Sequence, residues 1–156
     1  MADLTVSFTV QNLTPQTIAP IQNSDAYYVL DNGKLVDGKA PREVSPNSTA
    51  EGGTYSHKPP KLAVAVAYTI PDKTHYAVFF YQNDDSGAPV AKTLFVPSRD
   101  FKLDSGFVQY MSTASAFGIK AQHGFYMGPN YFVLKMVAHN PGNGNVKFTI
   151  SSSMDA

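Results

Sequence analysis

The chain contains no cysteine and no tryptophan among its 156 residues. Disulfide bonds, thiolate zinc sites and cysteine nucleophiles are therefore excluded. Charge of either sign is scarce, because charged residues make up 15% of the sequence and the 12 basic and 12 acidic side chains cancel. A nucleic-acid-binding domain normally carries a basic surplus or stripe. The sequence has neither, so we expect no nucleic-acid partner.

Long apolar runs are also absent, and no stretch approaches the ~20 residues of a membrane-spanning helix. Residues Met1 to Leu4 show neither the basic nor the apolar region of a signal peptide. We therefore expect a soluble protein that is made in the cytoplasm and, if released, leaves by a non-classical route. Without a signal peptide, the glycosylation sequons at Asn12 and Asn47 are expected to stay unused.

Motifs of known catalytic sites are missing from the sequence. It has no G-x-S-x-G nucleophile elbow, no phosphate-binding G-x-x-x-x-G-K-S/T loop and no dinucleotide-binding G-x-G-x-x-G. A glycosidase needs two carboxylates across a cleft. Acidic residues here are few and fall mostly in predicted turns, as Asp84 and Asp85 do. These absences predict a protein that is not an enzyme, with no catalytic residue and no cofactor.

The four histidines form no recognisable metal-binding pattern along the chain. None belongs to an H-E-x-x-H motif or to a pair spaced four residues apart on a helix. A metal site would require residues distant in sequence to converge in the fold. We therefore predict no metal ion for His57, His75, His123 and His139.

Apolar and aromatic residues are plentiful, with 43% hydrophobic residues, nine tyrosines and ten phenylalanines. This supply is sufficient for one domain with a packed core, so residues 1–156 are predicted to form a single domain. Alternating patterns predict strands. The predicted strands are Leu4 to Val10, Ala26 to Leu30, Lys61 to Ile70, His75 to Gln82, Val90 to Val96, Tyr131 to His139 and Asn145 to Ser151.

The segment from Lys61 to Ile70 has the most distinctive pattern. Large apolar residues alternate with Ala63, Ala65 and Ala67, which predicts a central strand buried on both faces and approached closely by another backbone. Strands at the observed spacing, separated by Gly/Pro turns, predict an all-β fold, an antiparallel two-sheet β-sandwich.

Other segments are predicted from turn and capping residues. Asp31 to Gly33 has the composition of a tight hairpin turn. Val36 to Tyr55 is predicted as loop with a short strand near Arg42 to Ser45, and 140–144 as the turn of the last hairpin. One short helix is predicted between Arg99 and Ser115, capped by Ser98 or Asp100.

Tyrosines at predicted strand ends and in loops are the candidate binding residues. Such side chains could form an amphipathic rim that inserts at a bilayer interface or stacks on sugar rings. Their alternative role is ordinary packing at the edges of the sandwich. The ligand-binding candidates are Tyr81, Tyr110, Tyr126 and Tyr131.

Several segments in order along the chain are similar to those of known cytolysins. They are VSFTVQNLT (6–14), PREVSPNSTAEGGTY (41–55), AVAYTIPDKTHYAVFFYQND (65–84) and NPGNGNVKFTIS (140–151). In this layout the chain resembles the aegerolysin family and the small insecticidal toxins that share its fold. The hairpin KLAVAVAYTI/HYAVFFYQ and the segment Gly124 to Met127 also resemble the actinoporins. The amphipathic amino-terminal helix of actinoporins is absent, and their Ser-x-Pro motif is replaced by Tyr81 to Asn83.

These resemblances imply a membrane-lipid-binding module of cytolysin or toxin type, pore-forming alone or with a second protein component. Tyrosines would bind a neutral lipid headgroup by cation–π contact and hydrogen bonds, and the protein would form a homo-oligomer on the membrane. Two alternatives stay open. One is a lectin-like domain that binds a glycan with the same aromatic rim. The other is a self-assembling structural protein whose exposed strands pair between copies.

Overall fold

The computed structural model describes residues 3–21, 26–59, 61–84, 89–113, 118–139 and 144–155. Helix α1 (Ser105–Thr113) and a 3₁₀ turn at Leu30–Asn32 accompany eleven strands. The strands are β1 (Leu4–Leu13), β2 (Ala19–Pro20), β3 (Tyr27–Val29), β4 (Lys34–Leu35), β5 (Ser48–His57), β6 (Lys61–Thr69), β7 (His75–Asp84), β8 (Val90–Pro97), β9 (Lys120–Met127), β10 (Asn130–His139) and β11 (Asn145–Asp155).

The strands form two sheets, which confirms the predicted all-β sandwich with one short helix. The first sheet has the order β4-β5-β1-β11-β10-β9. The second has the order β2-β6-β7-β8, with β3 also paired to β6. The pairing is antiparallel except between β1 and β11, which run parallel in the middle of the first sheet. This parallel pair departs from the prediction of a purely antiparallel sandwich. It joins strands from opposite ends of the sequence, whose pairing no local pattern indicates.

Aromatic rings fill the space between the two sheets. Phe8 packs edge-on against Tyr55 and Phe148, with ring centroids 5.4 and 5.0 Å away. Phe79, from the second sheet, stacks on Phe148 at 4.6 Å. These side chains come from alternate positions of their strands, so the period-two pattern of the sequence places them on the inner faces.

A second core lies on the other face of the second sheet, where helix α1 covers β6. The three alanines of β6 pack there with Val108 and Met111 of the helix. Strand β6 is thus buried on both faces, as its sequence predicts. The backbone N–H of Phe107 donates to Asp104 Oδ1 at 2.9 Å, so Asp104 caps the helix rather than Ser98 or Asp100.

Two loop predictions are wrong. Residues Asp31 to Gly33 do not join a hairpin, because β3 pairs with β6 in the second sheet while β4 pairs with β5 in the first. The segment predicted as loop holds most of the ten-residue strand β5. At the predicted short strand, Val44 forms an isolated bridge with Ile18, and the backbone N–H of Arg42 donates to the carbonyl of Glu51 at 2.9 Å. The pairing register of β1 with β5 shifts between Phe8 and Thr9. Most of the predicted turn at 83–89, and residues 140–143 of the last predicted turn, lie outside the described residues.

Asn12 connects the end of β1 to the irregular segment that follows. Its buried side chain donates from Nδ2 to the carbonyls of Gln16 and Val44, at 2.8 and 2.9 Å. Its Oδ1 accepts from the backbone N–H and the hydroxyl of Thr14. Because Asn12 is fully buried in this network, its sequon cannot be reached by a glycosyltransferase once the chain has folded.

Substituting Ala65→Leu should test the close approach of α1 to β6. The larger side chain has no free volume between strand and helix, so we expect a loss of about 1–3 kcal/mol in the free energy of unfolding. Urea denaturation measures the change. Gln109→Leu, on the exposed side of the same helix, serves as the control and should change stability by less than ~0.5 kcal/mol.

Substituting Asn12→Asp should be more costly than its small change in volume suggests. An ionised carboxylate cannot donate to the carbonyls of Gln16 and Val44, so both lose a partner and a charge is buried. We expect a loss of about 2–5 kcal/mol, read from thermal or urea unfolding. The same replacement at the exposed Asn47 should have little effect, and equal losses at both positions would contradict this role of Asn12.

Candidate functional site

The outer face of the first sheet is the open sheet face among the described residues. Both faces of the second sheet are occupied, one by the core between the sheets and the other by α1 and its neighbours. On β10, Leu134, Met136 and Ala138 are buried, so the alternate positions point away from the core. Ligand access to a sheet surface is therefore concentrated on this outer face.

Tyr126 and Tyr131 form an aromatic pair on the outer face, near the end of the β9–β10 hairpin. They are direct partners in the strand register. Their ring centroids lie 4.9 Å apart with an interplanar angle of 58°, and 70% of Tyr126 is exposed. A largely exposed ring braced by a second ring is a suitable surface for an apolar face of a ligand.

The lack of a side chain at Gly124 allows the ring of Tyr131 to lie close to the sheet. A Cβ atom at Gly124 would overlap the Tyr131 phenol oxygen and the ring carbon that bears it. The ring of Tyr131 therefore extends back over β9, across the position where Gly124 lacks a side chain. This arrangement covers an edge-strand glycine with an aromatic ring, a recognised device for stabilising sheets.

Polar side chains continue the surface from the aromatic pair along the same strands. Gln122 of β9 lies opposite Lys135 of β10 in the register, and Ser153 of β11 lies opposite Val133. Lys135 and Ser153 are exposed. At ~3.3 Å per residue, Tyr131 and Lys135 are about 13 Å apart along β10. The patch thus combines an aromatic end with amide, ammonium and hydroxyl groups over the length of a short oligomeric ligand.

The other two candidate tyrosines do not join this pair. Tyr81 is fully buried between the sheets, where its ring lies 6.4 Å from that of Phe8, and burial raises the pKa of its phenol. Its predicted place on a binding rim is therefore wrong, because β7 continues beyond it to Asp84. Tyr110 is 55% exposed but belongs to α1, on the opposite side of the molecule from the first sheet.

A small apolar cleft of about 60 Å³ lies at the end of the sandwich behind the aromatic pair. Its lining includes Pro15, Pro71, Phe125, Met127 and Phe132. Met127 is 38% exposed. The cleft is too small to enclose a sugar or a lipid headgroup, but it leaves apolar surface accessible beside Tyr126.

Two of the four histidines converge with a carboxylate in the fold. Asp72, His75 and His123 place one potential ligand atom each within 4.8 Å of one another. Burial raises the pKa of Asp72, but hydrogen bonds from His123 and Thr74 outweigh this effect and hold it below its usual value. The sequence spacing did not reveal this cluster, because 51 residues separate Asp72 from His123. The predicted absence of a metal ion stays a prediction.

No protein-family model matches the sequence, and no curated protein is significantly similar to it. Among solved structures, the chain is similar to the wild-type lectin XCL of Xerocomus chrysenteron, with 8% identity and a TM-score of 0.48 over 96% of this chain and 99% of that chain. A substituted form of the same lectin gives 8% identity and a TM-score of 0.48 over 97% and 100%. A TM-score below 0.5 does not assign a ligand.

The resemblance to aegerolysins and actinoporins has no support from these sequence comparisons. None of the described helical segments has the length and apolar content that a bilayer-spanning helix needs.

Substituting Gly124→Ala should displace the ring of Tyr131. The new methyl group would occupy the position of the phenol, so the near-ultraviolet circular dichroism of the tyrosines should change, and stability should fall by about 1–3 kcal/mol. Gly118→Ala is the matched control, because nothing lies within 4 Å of a Cβ at Gly118. An unchanged spectrum and stability for Gly124→Ala would show that Tyr131 does not lie over this glycine.

Proposed function

We propose that this protein is a carbohydrate-binding module that holds a short glycan on the outer face of the first sheet. The observation that supports it best is the Tyr126–Tyr131 pair, in which Tyr126 is largely exposed, beside an array of polar side chains. Sugar rings have faces of C–H groups and edges of hydroxyl groups. A ligand of this kind matches a surface that offers an aromatic ring at one end and hydrogen-bonding groups along the rest.

In the proposed complex, one sugar unit stacks on the ring of Tyr126, which Tyr131 supports from the neighbouring strand. The following unit lies over Gln122, Lys135 and Ser153. The amide of Gln122 both donates and accepts, the ammonium of Lys135 donates, and the hydroxyl of Ser153 does either. These groups lie on strands rather than on loops, so ligand binding requires little ordering of the backbone.

We further propose that the protein binds its ligand without altering it chemically. The described side chains of the patch include no carboxylate and no histidine. Hydrolysis of a glycosidic bond uses two carboxyl groups on either side of the bond. Lysine, glutamine, serine and tyrosine in the arrangement seen here offer hydrogen bonds and a stacking surface.

Binding to a membrane surface is a second candidate function, favoured by one observation. Tyr126 and Met127 are both exposed at the end of the β9–β10 hairpin, and Leu13 is 43% exposed at the end of β1. Tyrosine is enriched at membrane interfaces, where its ring enters the headgroup layer and its hydroxyl stays hydrated. A zwitterionic lipid would suit the net charge of zero.

Substituting Tyr126→Ala tests the glycan-binding proposal. Glycan-array screening of the wild-type protein identifies a ligand, and isothermal titration calorimetry then compares the variants. Because Tyr126 supplies most of the exposed stacking surface, we expect affinity to fall by about tenfold or more, which corresponds to ~1.4 kcal/mol or more. The melting temperature should change little, since most of this side chain is in solvent.

Tyr110→Ala is the matched control, because Tyr110 is also exposed but lies on α1. Glycan affinity that is equal in wild type and Tyr126→Ala would refute the proposed site. If the folded protein binds no glycan on the array, co-sedimentation with phosphatidylcholine and sphingomyelin vesicles examines the second function. Vesicle binding that depends on Tyr126 would then replace the glycan assignment with the membrane one.

A further inference from the structure

The two sheets meet at a cluster of three metal-ligating side chains that is separate from the aromatic pair. Asp72 lies in the turn between β6 and β7, and His75 is the first residue of β7, both in the second sheet. His123 belongs to β9, at the edge of the first sheet. His123 pairs in register with Leu134, which is buried. The imidazole of His123 therefore points inward from β9, toward the opposite sheet.

One carboxylate oxygen of Asp72 faces both imidazoles. His123 Nε2 is 2.5 Å from Asp72 Oδ2, and His75 Nδ1 is 3.4 Å from the same oxygen. The two imidazole rings are 4.1 Å apart between centroids. With zinc bonds of 2.0–2.2 Å, tetrahedral ligand atoms are roughly 3.4 Å apart. Sharing one ion therefore requires His123 Nε2 to move away from Asp72 Oδ2, from 2.5 Å to roughly 3.4 Å, and His75 Nδ1 to give up its 2.9 Å contact with the hydroxyl of Thr74.

The other oxygen of Asp72 fixes the orientation of the carboxylate. Oδ1 accepts hydrogen bonds from the backbone N–H and the hydroxyl of Thr74, at 3.0 and 2.7 Å. Oδ2 is thereby held toward His75 and His123. Hydrogen bonds that orient a ligating carboxylate in this manner are a regular feature of metal sites, and they lower the cost of ordering the ligand.

Two aromatic side chains pack against His123. Its ring is stacked against Phe125 at 6.0 Å with an interplanar angle of 8°, and Phe95 lies 5.4 Å away on β8. Apolar groups around a metal site limit competition from water. The side chains of Asp72, His123 and His75 are 10, 17 and 28% exposed, which leaves access for an ion from solvent.

We propose that Asp72, His75 and His123 bind one divalent transition-metal ion, with zinc the best match. Two imidazole nitrogens and one carboxylate oxygen suit zinc, cobalt or nickel, whereas calcium and magnesium prefer all-oxygen sites. Water completes the coordination on the exposed side. Binding replaces the direct contact between His123 Nε2 and Asp72 Oδ2 with bonds from both atoms to the ion.

The bound ion connects the two sheets at the free edge of the first. The turn before β7 supplies two ligands and β9 supplies the third, so binding holds the β9–β10 hairpin against the second sheet. The site does not depend on the proposed glycan-binding function, since its ligands point into the sandwich while Tyr126 lies on the opposite face of β9.

Titration with cobalt(II) in metal-free buffer tests the proposal directly, because tetrahedral cobalt(II) absorbs in the visible range. We expect one equivalent to bind, and zinc to displace it. At 100 times its dissociation constant, zinc should raise the melting temperature by about 5 °C or more. His75→Gln and His123→Gln should each weaken binding by about 100-fold.

His139→Gln is the matched control, since His139 is exposed and bonds Thr149 on the opposite face of the first sheet. It should bind cobalt as the wild type does. Circular dichroism verifies that each variant is folded, and His75→Gln, at the most exposed ligand, decides the result if His123→Gln fails to fold. Absence of binding by the folded wild-type protein, or binding that survives His75→Gln unchanged, would overturn the proposal.

Discussion

Burial of strand β6 on both faces is the constraint from which the rest of the molecule follows. Its larger residues pack into the aromatic core between the sheets, and its alanines allow α1 to lie directly on the strand. In the part of the chain that the structure describes, the second sheet therefore has no face left for a ligand. The first sheet buries one face in the same core, and its other face is lined by polar and aromatic side chains that water can reach. The packing of the two sheets and α1 thus determines which sheet face is open to a ligand.

The β9–β10 hairpin uses its two faces for different purposes. Outward positions carry Tyr126 and Tyr131, while inward positions carry His123 and Phe125, which pack toward the second sheet. Since neighbouring residues of a strand point in opposite directions, one short segment supplies both the proposed glycan platform and one ligand of the proposed metal site. A metal ion that holds the inner face would also limit the motion of the outer one.

Sequence patterns predicted the parts of the fold whose side chains alternate strongly. Strand β6 and the strands of the last hairpin are examples, because burial there depends on period alone. Strand β5 was missed since Gly52, Gly53 and a run of polar residues give it no apolar alternation, and its place depends on pairing with β1. Among the candidate tyrosines, strand periodicity could not distinguish Tyr81, which is buried, from Tyr126, which is exposed near a strand end. The Asp72–His123 contact joins residues of different sheets, so no local pattern reports it.

We propose that this protein binds its ligand on the outer face of the first sheet, at the β9–β10 hairpin. Nuclear magnetic resonance of the ¹⁵N-labelled protein, titrated with the tightest-binding glycan of an array, tests it most directly. We expect amide shifts to cluster at Gln122, Tyr126, Tyr131, Lys135 and Ser153, with α1 and the turn at Asp72 unchanged. Shifts centred on α1, or on the opposite end of the sandwich around His57, would contradict it.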